Sequence, residues 1–309
     1  MEIGVIGPGA VGTVLGGLLC AAGHRVTFYG RSATGVSRSF ALEDETGKQR
    51  PISGFSWATL DDWNPRTQIG LVCVRGEQLA SVLADTRTPR DATLAVASAT
   101  LDPLAPSARE AGWRGAILRL GIGFGAWRRE DGVYRWFPML PMGTGIAHEG
   151  DRSARPAQRQ LAHALTEAGL AARAAPARLF HWLMRTAFAI QTAQCLGFAC
   201  AGWSLDALAS DAARVEETAR AMRQAARVVW TDGGPLGLVA ATAPLWLYRR
   251  VLRAAPRRSG ADFKEVWRHH GPKIWPQIRF LTDQLEARGR RRGVPTDAIS
   301  ALAARALLR

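Results

Sequence analysis

The chain has 309 residues, 47% of them hydrophobic and 21% charged, which gives room for two domains and excludes a disordered or fibrous chain. Forty Lys and Arg against 26 Asp and Glu leave a net charge of +14. Only Lys48, Lys264 and Lys273 are lysine, so the excess is an arginine bias spread along the chain and argues against a dedicated nucleic-acid surface, although anionic ligands would still gain from the field.

From the N-terminus, residues 3–6 form a short apolar run, followed by Gly7-Pro8-Gly9-Ala10-Val11-Gly12 and a small-residue stretch to Gly23. This order predicts strand, glycine turn and helix, and a second strand over 25–29 completes a βαβ unit. In the G-x-G-x-x-G spacing, Gly7 permits the tight turn, Gly9 lets the backbone approach a pyrophosphate, and Gly12 lets helix pack closely on strand. The diphosphate would lie on the helix N-terminus, where free N–H groups and the dipole favour an anion. An NAD site normally adds an acidic residue about 20 residues further on. None occurs here between Glu2 and Glu43; Tyr29-Gly30-Arg31-Ser32 stands there instead. A guanidinium beside a hydroxyl suits a 2′-phosphate, so Arg31 predicts NADP(H) over NAD(H).

Further on, 43–51 reads as a turn between short strands and 69–74 as a buried parallel strand ending at Arg75-Gly-Glu-Gln78. A helix over 79–83, a strand over 93–97 ending at Ser98, a helix over 104–110 and a strand over 116–120 continue the alternation. That pattern predicts a doubly wound sheet with ligands at the strand carboxyl ends, which Arg75 and Ser98 occupy. Glu130-Asp-Gly132 reads as a hairpin turn, 152–172 as a helix, and 174–178 as the interdomain link. Beyond it the texture is helical: 179–201, 205–230, and a final pair over 262–309 broken at Gly271-Pro272 and Gly293-Val-Pro295. The fold expected is α/β, a Rossmann-type domain over 1–175 followed by an all-α domain over 176–309.

Cys20, Cys73, Cys195 and Cys200 show no C-x-x-C spacing, and the six histidines form no ligand cluster, so free thiols and no metal are expected. The chain opens on a core strand, and outside the glycine helix no apolar run reaches the about 18 to 20 residues of a membrane span. A cytoplasmic protein without membrane or nucleic-acid partners is expected. The cluster Arg288, Arg290, Arg291 and Arg292 reads as a solvated helix end.

Taken together, Gly7 through Gly12, Ala22-Gly-His-Arg-Val26 leading to Arg31, Val72-Cys-Val-Arg-Gly-Glu-Gln78, Gly125-Ala-Trp-Arg-Arg-Glu-Asp-Gly-Val133 and Gly293-Val-Pro-Thr296 resemble the ketopantoate reductases (2-dehydropantoate 2-reductases) along essentially the whole chain. The resemblance implies cofactor roles for the glycine run and Arg31, with Arg75 and Gln78 near the adenosine phosphate; Arg75 replaces the family's Lys. The substrate half departs from the family. Ser98-Ala99 stands for Asn-Gly, and the family's Lys falls at Met184 or, with a one-residue shift, at Arg185. Its Glu falls at Gln277, and its Ser at Glu265 if no gap intervenes.

Carbonyl reduction needs a hydride at carbon and a donor for the growing alkoxide. Arg185 can stabilise an alkoxide or hold a carboxylate but is a poor proton source, Gln277 does not ionise, and Glu265 is the titratable candidate. The expectation is an NADPH-dependent oxidoreductase acting on a small carbonyl of the 2-oxo acid type or an imine, since an iminium carbon needs no acid. Trp182, Trp203, Trp267 and Trp275 offer an aromatic wall for such a substrate, though most tryptophans are expected in the core. The alternative is a non-catalytic NADP(H)-binding or sensor protein of the same fold. Assembly into a homodimer is left open.

Overall fold

The structure is a computed structural model that describes residues 1–30, 39–85, 87, 90–139, 142–258, 264–265, 267–268 and 271–307. In chain order its elements are β1 (Glu2–Ile6), α1 (Ala10–Ala21), β2 (Arg25–Tyr29), β3 (Phe40–Glu43), β4 (Gln49–Ile52), β5 (Ser56–Ala58), β6 (Ile69–Val72), α2 (Leu79–Ala84), β7 (Thr93–Val96), α3 (Leu104–Glu110), β8 (Ile117–Gly121), β9 (Phe124–Arg128), β10 (Tyr134–Pro138), β11 (Thr144–His148), α4 (Arg155–Glu167) and β12 (Ala172–Ala174). Helices α5 (Ala177–Cys200), α6 (Leu205–Ser210), α7 (Ala212–Val229), α8 (Gly234–Thr242), α9 (Leu245–Arg258), α10 (Trp275–Arg292) and α11 (Asp297–Leu307) follow. The chain divides into two compact units, one of Met1–Ser98 with Pro103–Phe180, the other of Ala99–Asp102 with His181–Arg309.

In the first unit an eight-stranded sheet runs β12-β11-β8-β7-β6-β1-β2-β5. Strands β8 through β5 are parallel, and β11 enters antiparallel to β8. Because side chains alternate across a strand, each strand feeds two cores. Ile3 and Val5 of β1, Ile69 and Leu71 of β6 and Leu118 of β8 join one core with Val14, Leu15 and Leu18 of α1 and Leu161 and Leu165 of α4. Ile6, Val72, Leu94 and Val96 face the other, with Leu79 and Leu83 of α2 and Leu104 of α3. Burial on both faces is why these strands read as unbroken apolar runs. A second sheet, β4-β3-β10-β9, adds Leu42, Ile52 and Phe124 to the first core.

Glu43 on β3 is held in register with Arg135 on β10, and Gln49, Arg129 and Arg135 all donate to its shielded carboxylate. In the larger sheet Arg119 of β8 is buried against Glu149 at 2.7 Å, and Glu149 also accepts the N–H of Leu104 at the start of α3.

The second unit packs α5, α6, α7, α10 and α11 around Ala193, Leu196, Leu208, Val215, Met222, Leu285 and Leu302. Its outlying segment 99–102 is fixed by side chains of α10. Gln284 accepts the N–H of Leu101 and donates to Asp102, and Arg288 pairs with Asp102 and Asp232 at 2.7 Å each.

Several expectations are corrected. The helix read over 205–230 is two, because Asp211 leaves the helical conformation and caps α7 by accepting the N–H of Arg214. The helix read over 152–172 ends at Glu167, and its tail supplies β12, which pairs with a strand not foreseen, β11. Of the cluster read as a solvated helix end, Arg290, Arg291 and Arg292 are exposed, whereas Arg288 is not. Arg288 is buried between two carboxylates, and Arg292 binds Asp232, Thr231 and the Val228 carbonyl. Trp203 and Trp267 are parallel-stacked within or against the helical core, in line with the core positions expected of most tryptophans. The four cysteines are free thiols.

Candidate functional site

Strand order places a crevice on the sheet. From β1 the chain steps to β2 on one side, then to β6 and β7 on the other, so the winding reverses between β1 and β6. In open α/β sheets ligands bind at the carboxyl ends of the strands at such a switch point. The loops leaving β1 and β6 touch there. A Cβ on Gly7, whose φ is +82°, would stand 2.6 Å from Val74 Cγ1 and 3.0 Å from the Cys73 carbonyl oxygen. A Cβ on Gly12 would stand 2.6 Å from the Gly7 carbonyl oxygen. Gly9 is different: nothing lies within 4 Å of the corresponding position.

Gly9 is also the N-cap of α1, with no capping side chain and no acidic residue in the first turn. Its own N–H turns back to the Gly7 carbonyl at 2.8 Å, and Thr13 Oγ1 donates to the Pro8 carbonyl at 3.2 Å, so the turn is braced from within. The first-turn N–H groups from Ala10 to Gly12 have no carbonyl of their own helix to bind. With the open side of Gly9 they form a cradle that fits a diphosphate. Its neighbour Cys73 is no nucleophile, because burial pushes its thiol up to about 12.

On the β6 side, Arg75 caps the short turn Gly76–Gln78, donating its N–H to Gln78 Oε1 at 3.3 Å, while its Nε lies 2.8 Å from Glu77 Oε1. Ser98, 2% exposed, gives its hydroxyl proton to the Val74 carbonyl at 2.5 Å, tying the end of β7 to the same loop. The structure therefore brings together the glycine run, Arg75, Gln78 and Ser98. Arg31 lies outside the described residues. Between Arg75 and Gln78 stands Glu77, a carboxylate that no sequence motif singles out.

The substrate candidates belong to the helical unit. Arg185 is half-buried in α5 and makes no hydrogen bond or ion pair with a described residue. Around it α5 is closely packed: a Cβ on Gly233 would meet Thr186 Oγ1 at 2.5 Å, and one on Gly234 would meet the Trp182 ring at 2.3 Å. Gln277, half-buried in the first turn of α10, likewise makes no side-chain hydrogen bond with a described residue. Glu265 is exposed, 4.0 Å from Arg268. No hydrogen bond or ion pair joins Arg185 to Gln277 or to Glu265. Among the described residues no group of three or more His, Cys, Asp or Glu could hold a metal ion, and no helix is long and apolar enough to cross a membrane.

Residues 3–99, which span the cradle, both of its loops and Ser98, match the family model of ketopantoate reductase PanE/ApbA. The likeness of this segment is to the ketopantoate reductase family. The fold likeness extends beyond it, over the whole chain. A PanE/ApbA family ketopantoate reductase from Ralstonia eutropha JMP134 aligns with a TM-score of 0.78 at 17% identity, covering 100% of this chain and 98% of that one. A D-mandelate dehydrogenase in ternary complex with NADH and anilino(oxo)acetate aligns at 0.74 and 14% identity, covering 100% and 97%. A dimeric ketopantoate reductase from Staphylococcus aureus aligns at 0.70 and 11% identity, covering 100% and 98%. At these identities what is shared is the ketopantoate reductase fold. No curated protein sequence matches the chain.

Proposed function

We propose that the protein is an NADPH-dependent oxidoreductase that reduces a carbonyl of the 2-oxo acid type or an imine. The observation that carries the reading is the open face of Gly9 at the N-terminus of α1, set at the winding reversal between β1 and β6. The family match over 3–99 supports it, as does NADH bound to a D-mandelate dehydrogenase of this fold. When bound, the nicotinamide carrier supplies the hydride. The first-turn N–H groups of α1 hold its diphosphate, and Arg75, Gln78, Ser98 and Arg31 are assigned to its remaining polar groups.

For the substrate, Arg185 is assigned to a carboxylate or to the oxygen on which negative charge grows, since it is a partly shielded cation with no counter-ion among the described residues. Gln277 orients the substrate by hydrogen bonding. Glu265 is retained as the titratable candidate, although its exposure beside Arg268 weakens that role. That weakness favours a substrate needing little acid help, such as an iminium. The same observation supports a second reading, a dinucleotide-binding protein without turnover. NADPH oxidation measured against a panel of 2-oxo acids and cyclic imines separates the two: turnover that falls at least about tenfold in Arg185→Ala supports the reductase. Tight NADPH binding with no turnover across the panel overturns it in favour of the second.

A further inference from the structure

Glu77 belongs to the loop that borders the candidate cradle. It lies in the turn Gly76–Gln78 after β6, whose loop packs against Gly7. Both of its carboxylate oxygens are shielded from solvent, and neither accepts a hydrogen bond from a described residue. What answers their charge is Arg75, with Nε 2.8 Å from Oε1. A shielded carboxylate lacking hydrogen bonds depends on its counter-charge, so it holds that counter-charge tightly. The turn reinforces the pair: Gln78 accepts the Arg75 N–H and Ser81 donates to the Gln78 carbonyl at 2.8 Å, fixing residues 75 to 78 relative to one another.

Arg75 is thus a cation already engaged. Its side chain keeps 41% of its surface, so an anion can reach it, but that anion must compete with a carboxylate held in place by the same turn. A diphosphate at the α1 N-terminus relies on backbone N–H groups and is little affected. An additional phosphate that drew on Arg75 would meet both the masked guanidinium and the negative charge of Glu77. We propose that Glu77 is a specificity-determining residue which masks Arg75 and lowers the affinity of the cradle for NADPH relative to NADH. This rests on the cofactor reading above. Glu77 acts through Arg75, so it is a positioning residue for the cofactor choice and takes no part in hydride transfer.

The test is titration of the full-length protein with NADPH and with NADH, comparing wild type, Glu77→Gln, Arg75→Ala and the double variant. Neutralising Glu77 frees a charge-assisted contact, so NADPH should bind about tenfold more tightly to Glu77→Gln while NADH changes by less than about twofold. The gain should vanish in the double variant, as a coupled pair requires. Glu77→Asp, which withdraws the carboxylate by one methylene, should shift the ratio in the same direction by a smaller amount. Equal changes for both carriers would mark a merely structural role and overturn the inference, as would a gain that survives removal of Arg75. If wild type binds both carriers and neither substitution moves the ratio, the inference fails alone; if wild type binds neither, the cofactor reading fails with it.

Discussion

Three glycines of one motif hold their places for different reasons. Gly7 is fixed by conformation and by contact: at φ +82° an L side chain is strained, and its Cβ would run into Val74 and the Cys73 carbonyl. Gly12 is fixed by contact with the Gly7 carbonyl. At Gly9 the protein itself leaves room, which fits the proposed close approach of a dinucleotide. Gly7→Ala is therefore expected to cost about 1–3 kcal/mol of stability. Gly9→Ala should leave the thermal midpoint within about 2 °C of wild type yet weaken dinucleotide binding by about tenfold or more, through loss of backbone approach. Thermal denaturation beside cofactor titration checks both halves. A destabilised Gly9→Ala with normal binding would remove the cradle assignment.

Between elements, paired charges do work that the charge balance hides. Glu43 joins β3 to β10, and the hydrogen bond from Gln49, then that from Arg135 and the charges of Arg129 and Arg135, outweigh burial and hold its carboxyl below the usual range. A carboxyl lowered in the folded state stabilises the protein fully above its unfolded pKa, and that stability is lost as pH falls through the folded value. Urea midpoints are expected to decline on acidification below about pH 4.5. The decline should be shallower in Glu43→Gln, and an identical acid limb in both proteins would refute the assignment. Arg288 does comparable work in the helical unit, where its two carboxylates anchor 99–102 and the residues following α7.

For the whole molecule, the charge of +14 coexists with an apolar surface. Leu236, Leu238 and Val239 of α8 and Trp246, Leu247 and Val251 of α9 are all exposed, Val239 to 68%. Between Gly233 and Gly260 there is no acidic residue, while arginines recur along α9. Exposed apolar helices of this kind are candidates for self-association. Sedimentation at several protein concentrations is expected to show a dimer, and Val239→Asp combined with Trp246→Ser should shift it to monomer. A wild type that stays monomeric at about 100 μM would exclude assembly of ordinary affinity.

What the sequence determined by itself was the local part. Gly7, Gly9 and Gly12 declare a strand–turn–helix because backbone geometry and close approach constrain residue type at fixed spacing, and strands such as 69–72 declare themselves because burial on both faces leaves no polar position. The break at Asp211, the strands β11 and β12, and the engagement of Arg288 were not legible. A cap, an edge strand and an ion pair each depend on a partner far along the chain, and the identity of a residue does not name its partner. The same holds at the cradle. Arg75 reads from the sequence as a cation awaiting phosphate, and only the folded turn decides that Glu77 already answers it.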